Sequence, residues 1–165
     1  MACHLEFEQW VPFPLNQVFA FFSNPENLPR IMPAGMATRL VALNRVPPPN
    51  VGSEKAAGVG STIVTSFRVV PFLPFRAQWV SRITEFEYNS HFADVQDKGP
   101  FKNWHHRHEF RSEVRAAVPG TLCRDVIDYD PGFGPLGAIG DALFIRRQMM
   151  GTFAERQTRL PGLLG

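Results

Sequence analysis

The sequence predicts an α+β fold: a curved antiparallel sheet of about seven strands, two short helices after the first strand, and a long C-terminal helix across the concave face. Three observations lead there. Most segments from Ala37 to Tyr129 alternate apolar and polar residues with the period of a strand. The spacing becomes helical on either side of this block, just after Pro14 and again past Pro135. No internal repeat or low-complexity tract breaks the chain, so we expect one ligand-binding domain over residues 1–165.

His4 to Val11 (HLEFEQWV) alternates aromatic and charged residues and reads as a half-buried strand. Pro14 suits a first helical turn, and Val18, Phe19, Phe21 and Phe22 give that helix an apolar face before Asn24-Pro25 stops it. A second short helix is expected over Glu26 to Met32, with Pro29 working against it. Six strands follow: Ala37 to Val46, Ser61 to Val70, Phe75 to Phe86, Ser90 to Gln96, Phe101 to Arg111 and Thr121 to Tyr129. Pro47 to Gly60 reads as a long flexible connection. From Leu136 to about Leu160 the spacing is helical, with Leu136, Ile139, Leu143, Met150 and Phe153 as the expected inward stripe. A twisted sheet of this size cannot fill its own concave side, so the long helix must cover it.

Composition removes whole classes of function. The 17 basic and 15 acidic residues are interspersed and give a net charge of +2, leaving no basic stripe for a phosphate backbone. Nucleic acid is not an expected partner. The two cysteines, Cys3 and Cys123, cannot build a four-cysteine zinc site or a disulfide framework and fit a reducing, cytoplasmic setting. The first ten residues lack the apolar core of a signal peptide, and no apolar run approaches a membrane span. Stable membrane insertion is therefore not expected, and a homodimer is left open.

Chemistry concentrates in "DVQDKGPFKNWHHRHEF", residues 94–110. Alternation on its second strand puts Asn103, His105, Arg107, Glu109 and Arg111 on a face that must meet water. Trp104, His106, His108 and Phe110 then point inward. By the same reasoning Phe92, Asp94 and Gln96 share an inner face on the preceding strand, Trp79 and Ile83 on the strand before that, and Cys123, Asp125, Ile127 and Tyr129 on the last. The expected ligand-binding set is therefore Trp79, Phe92, Asp94, Gln96, Trp104, His106, His108, Phe110, Asp125 and Tyr129. Lys98-Gly99-Pro100 reads as a turn in which glycine adopts a conformation closed to other residues.

A metal is the less favoured use of the histidines. His106-x-His108 aligns two imidazoles, but the chain lacks the glutamate and glycine spacing of cupins, and a third ligand could be Asp94, Gln96 or Asp125. We expect no metal and no cofactor. Buried histidines more often close a hydrogen-bond network with a carboxylate. Pro71-Phe72-Leu73-Pro74 could gate a cavity or touch a partner, and one of Arg146 and Arg147 could turn inward to an anionic group. No nucleophile elbow and no phosphate loop is present.

Two stretches carry a family resemblance. "FPLNQVFAFFSNPENLPRIMP" resembles the opening helices of bacterial members of the START and birch-pollen-allergen (SRPBCC) superfamily, and "FADVQDKGPFKNWHHRHEF" followed by "DYDPGFGPLGAIG" resembles its polyketide cyclase/dehydrase-like branch. The resemblance spans essentially the whole chain and implies the helix-grip fold. It implies a cavity that binds or carries a small hydrophobic, lipid-like or polyketide-like molecule. The alternative it implies is a cyclase or dehydratase in which His106 or His108, paired with Asp125 or Asp94, moves a proton. Fifteen phenylalanines in 165 residues suit an aromatic-lined cavity.

Overall fold

A computed structural model describes residues 2–49, 54–69 and 74–165. Seven strands form one sheet: β1 (Cys3–Val11), β2 (Arg39–Asn44), β3 (Thr62–Arg68), β4 (Arg76–Glu87), β5 (His91–Lys98), β6 (Asn103–Arg115) and β7 (Val118–Asp130). All pairs are antiparallel, in the order β1-β7-β6-β5-β4-β3-β2. Register shifts in the β4–β5 ladder, between Val80 and Ser81 and between Ile83 and Glu85, add bend where the sheet must curl.

The two short helices form as their prolines dictate. Pro14 precedes α1 (Leu15–Ser23), which buries Val18 and Phe19. Asn24 then accepts a hydrogen bond from the Glu26 N–H at 3.1 Å and starts a single 3₁₀ turn, Pro25–Asn27. Pro29 sits in the first turn of α2 (Leu28–Ile31), where its missing N–H costs nothing, and the peptide before Pro33 is extended and ends the helix. Of the long connection, the described end is packed: Ala56 and Ala57 are buried and the Ala57 N–H donates to the Ser23 carbonyl at 2.9 Å. Residues 71–73 of the expected gating turn lie outside the described residues.

The C-terminal helix is built of α3 (Gly134–Gly140), one π turn (Asp141–Ile145) and α4 (Arg146–Leu164). It lies across the concave face, stacking Phe153 on Phe7 of β1 with ring centroids 4.1 Å apart. Its inward stripe differs from the one the apolar spacing predicts. Leu136, Ile139, Leu143 and Met150 are exposed, and of the five expected residues only Phe153 is buried. The buried line runs instead through Gly137, Asp141, Phe153, Arg156, Leu160 and Leu164. Two contacts set this phase. The Tyr129 hydroxyl donates to Asp141 at 2.5 Å, and a Cβ at Gly137 would lie 1.7 Å from the Gly132 carbonyl oxygen. A buried carboxylate thus faces the sheet, and a glycine the loop that follows β7, where hydrophobicity alone would place leucines.

Two apolar clusters lie beneath the helix, one around Val18, Phe19, Ile31, Ile83, Phe110 and Leu160, the other around Leu5, Ile127, Tyr129 and Phe153. Between them they leave the curled middle of the sheet open. No helix among the described residues is long and apolar enough to cross a membrane.

Candidate functional site

The unfilled middle of the sheet is a cavity of about 370 Å³, within the range of small-molecule sites. Strands β3 to β6 supply one wall, with Thr65, Trp79, Ser81, Phe92, Trp104 and His106 among its residues; Phe22 and Leu28 from the short helices and Met149, Phe153 and Arg156 from the C-terminal helix supply the other. The lining is predominantly apolar and aromatic. Trp79 meets Trp104 edge to face at 4.9 Å, and Phe92 stacks on His108 at 4.4 Å.

The ionisable groups of the lining, Asp94, His106, His108 and Arg156, gather on one patch. Register pairs Asp94 with His106 and Phe92 with His108 on one side of β6, and Asp125 with His108 on the other. Nε2 of His106 lies 2.9 Å from Oδ1 of Asp125, and Nδ1 of His108 lies 2.7 Å from the same oxygen. Nη2 of Arg156 approaches that oxygen to 3.6 Å from α4. Side-chain exposure is 10% for His106, 11% for His108 and 13% for Asp125. His105, by contrast, lies on the outer face near Glu85, in a lattice that includes Arg107 and Glu109.

Burial alone would raise the Asp125 carboxyl, but Arg156, His108 and hydrogen bonds from both imidazoles outweigh it and hold Asp125 well below the usual carboxylate range. An ionised carboxylate only accepts, so the His106 ring must donate to it. His106 therefore donates from Nε2, while His108 sets Nδ1 against the same oxygen and Nε2 toward Asp94. Burial, and then His108, depress the His106 pKa, so its ring is neutral at pH 7. Asp94 is pushed the other way. Its burial raises it, opposed by His106 and His105.

Six of the ten sequence-predicted residues line the cavity: Trp79, Phe92, Asp94, Trp104, His106 and His108. Four do not. Gln96 folds over its own hairpin, bonding the Phe101 carbonyl and N–H at 2.7 and 3.3 Å. Phe110 lies beyond the cavity among Phe19, Phe22 and Phe92. Asp125 sits behind the two rings it orients, and Tyr129 is spent on Asp141. Strand alternation identifies a face but not the extent of the hollow along it. The inward arginine is Arg156, where sequence reasoning points to Arg146 or Arg147; its one signal is its place three residues after Phe153, over whose ring its guanidinium lies at 4.5 Å.

The family model described as "polyketide cyclase / dehydrase and lipid transport" matches residues 11–158. The chain belongs to that family. No curated protein matches the sequence. Solved structures repeat the helix-grip architecture over nearly the whole chain. A protein from Chromobacterium violaceum is 14% identical with a TM-score of 0.68, covering 98% of this chain and 96% of its own. One from Thermus thermophilus is 13% identical with a TM-score of 0.66, covering 98% and 97%. A point mutant of norcoclaurine synthase from Thalictrum, bound to a transition state analogue, is 12% identical with a TM-score of 0.62, covering 98% and 94%. At such identities the likeness establishes this family member's fold alone.

Proposed function

We propose that this protein binds a small hydrophobic molecule with an aromatic or extended apolar body and one oxygen-bearing end, held with that end against Asp94, His106 and His108. The observation that carries the reading is a cavity of about 370 Å³ whose lining is predominantly apolar and aromatic, with its carboxylate and both its imidazoles gathered on this one patch. Trp79, Phe92, Trp104 and Phe153 offer flat faces to a ring system, while Thr65 and Ser81 offer hydroxyls along its edge. The match to a family described by polyketide cyclisation, dehydration and lipid transport supports the same ligand class.

Native mass spectrometry of freshly purified protein tests it. A bound species of several hundred daltons at one per chain, released by denaturation and partitioning into organic solvent, is the expected result. A chain that carries nothing and takes up no apolar ring compound at high micromolar concentration would refute it.

One observation favours a second reading, in which the bound molecule is also transformed. A neutral imidazole held in a fixed tautomer by an ionised carboxylate is the arrangement of a general base, and the second ring nitrogen of His106 could take a proton from a ligand carbon or hydroxyl. Turnover of a poly-β-ketone by the wild type and its loss in His106→Gln and His108→Gln variants would establish that reading.

A further inference from the structure

We propose that Asp94, His106 and His108 form a binding site for one divalent first-row transition-metal ion, with the open side of the ion facing the cavity. One ligand atom from each of the three lies within 4.8 Å of the others, on the adjacent strands β5 and β6. Two imidazoles and one carboxylate on a single face, with room left for further ligands, is the donor set used by catalytic zinc and by non-haem iron(II).

The ring orientations point to a cation. Asp125 takes Nε2 of His106 as its hydrogen-bond partner and lies against Nδ1 of His108, so the opposite ring nitrogens, Nδ1 of His106 and Nε2 of His108, are the ones left for the cluster. Nε2 of His108 faces Oδ1 of Asp94 across 3.9 Å. That gap is too long for a hydrogen bond. It matches the span between two ligands that share one ion at about 2.0–2.2 Å from each. Asp125 completes the pattern from behind. Metal-bound histidines characteristically donate their second ring N–H to a carboxylate that fixes tautomer and orientation, and here one carboxylate oxygen does this for both rings.

Charge balance agrees. Arg156 answers Asp125, whereas Asp94 meets no lysine or arginine among the described residues, its nearest basic group being His108 at 3.9 Å. A divalent ion would bring the five-residue group to a net charge of about +1, which an enolate, phenolate or carboxylate oxygen of the bound molecule would reduce to zero. The ion thus extends the ligand reading by assigning the oxygen-bearing end an anionic donor. The sequence leaves Asp94, Gln96 and Asp125 as rival third ligands and favours no metal; the fold chooses Asp94 by turning Gln96 to Phe101 and placing Asp125 behind the rings.

The test uses full-length protein with any polyhistidine tag removed, stripped with a chelator and titrated calorimetrically with Zn²⁺, then with Co²⁺ by absorption spectroscopy. Expected is one ion per chain, with Co²⁺ bands of a low-coordinate nitrogen and oxygen site. Asp94→Asn, which keeps the side chain's shape, should weaken Zn²⁺ binding at least tenfold in a chain that still melts cooperatively. His108→Gln should do the same, Asp125→Asn should cost about 10–100-fold as an outer-shell change, and His105→Gln on the outer face should change nothing. No saturable uptake by the wild type, or uptake untouched by Asp94→Asn and His108→Gln, would overturn the proposal. Neither outcome bears on apolar binding measured with the stripped protein, so the site and the ligand reading fail separately.

Discussion

His106 and His108 share a single oxygen: Oδ1 of Asp125 lies 2.9 Å from one ring and 2.7 Å from the other, with Arg156 3.6 Å away on the helix side. This bond set ties the C-terminal helix to the middle of the sheet and fixes two cavity-facing rings at once. It is the hinge between stability and function in this fold.

Asp125→Asn should therefore be strongly destabilising. It strands Arg156 in a buried site and leaves one amide oxygen where a carboxylate served two rings. Removing one partner of a buried pair typically costs about 3–5 kcal/mol, which urea unfolding would register. A loss below about 1 kcal/mol would show that Arg156 and the rings find other partners.

Asp94→Asn should act in the opposite direction on the metal-free chain. Burial raises the Asp94 carboxyl above its unfolded value, so the stability associated with its protonated form is present below about pH 4 and is lost as pH rises through the folded value. The amide removes that loss. Metal-free Asp94→Asn should match the wild type at acid pH and melt higher at pH 7, by about 2–4 °C for each kcal/mol regained. A lower melting temperature at pH 7 would mean that the carboxylate is stabilised by its surroundings.

Gly99→Ala should destabilise the β5–β6 hairpin for a steric reason. Gly99 is not among the glycines with positive φ, contrary to the expectation from Lys98-Gly99-Pro100; a Cβ there would instead lie 2.2 Å from Oε1 of Gln96. The Gln96 amide would have to leave Phe101, at about 1–2 kcal/mol for two hydrogen bonds. Gln96→Ala should lose the same amount and make Gly99→Ala nearly silent, which a double-mutant cycle would show.

Cys123 should resist alkylation in the native state. It is 4% exposed, and burial, followed by the nearby Asp125 charge, pushes its thiol up to about 12. Iodoacetamide at mildly alkaline pH should leave the Cys123 peptide unlabelled until denaturant is added. Rapid native labelling would show that the β7 strand opens readily.

Alternation is a sound guide wherever a strand has one wet face. His105, Arg107 and Glu109 could not be buried together, so His106 and His108 had to be, and they are the buried or nearly buried pair. The helix misleads because its inward line is not its most apolar one: Gly137 faces in by close approach and Asp141 by its bond to Tyr129, and neither is visible to hydrophobic spacing. Arg156 escapes for the same reason, since a basic residue in a charged helix reads as solvated until a carboxylate is found opposite it. The depth of the cavity, which separates Trp104 from Phe110 on one face of one strand, depends on sheet curl and helix position together.

The central claim is that apolar molecules bind between the sheet and the C-terminal helix, and energy transfer from tryptophan to a bound fluorescent naphthalene sulfonate tests it most directly. Trp79 and Trp104 line the cavity, whereas Trp10 lies on β1 and donates to the Glu113 carbonyl at 3.0 Å. In a Trp10→Phe chain, titration should quench the remaining emission saturably at one probe per chain. Ser81→Phe, which projects a ring into the cavity, should abolish the quenching while cooperative unfolding persists. Equal quenching in the Ser81→Phe protein, or none in the parent, would contradict the account.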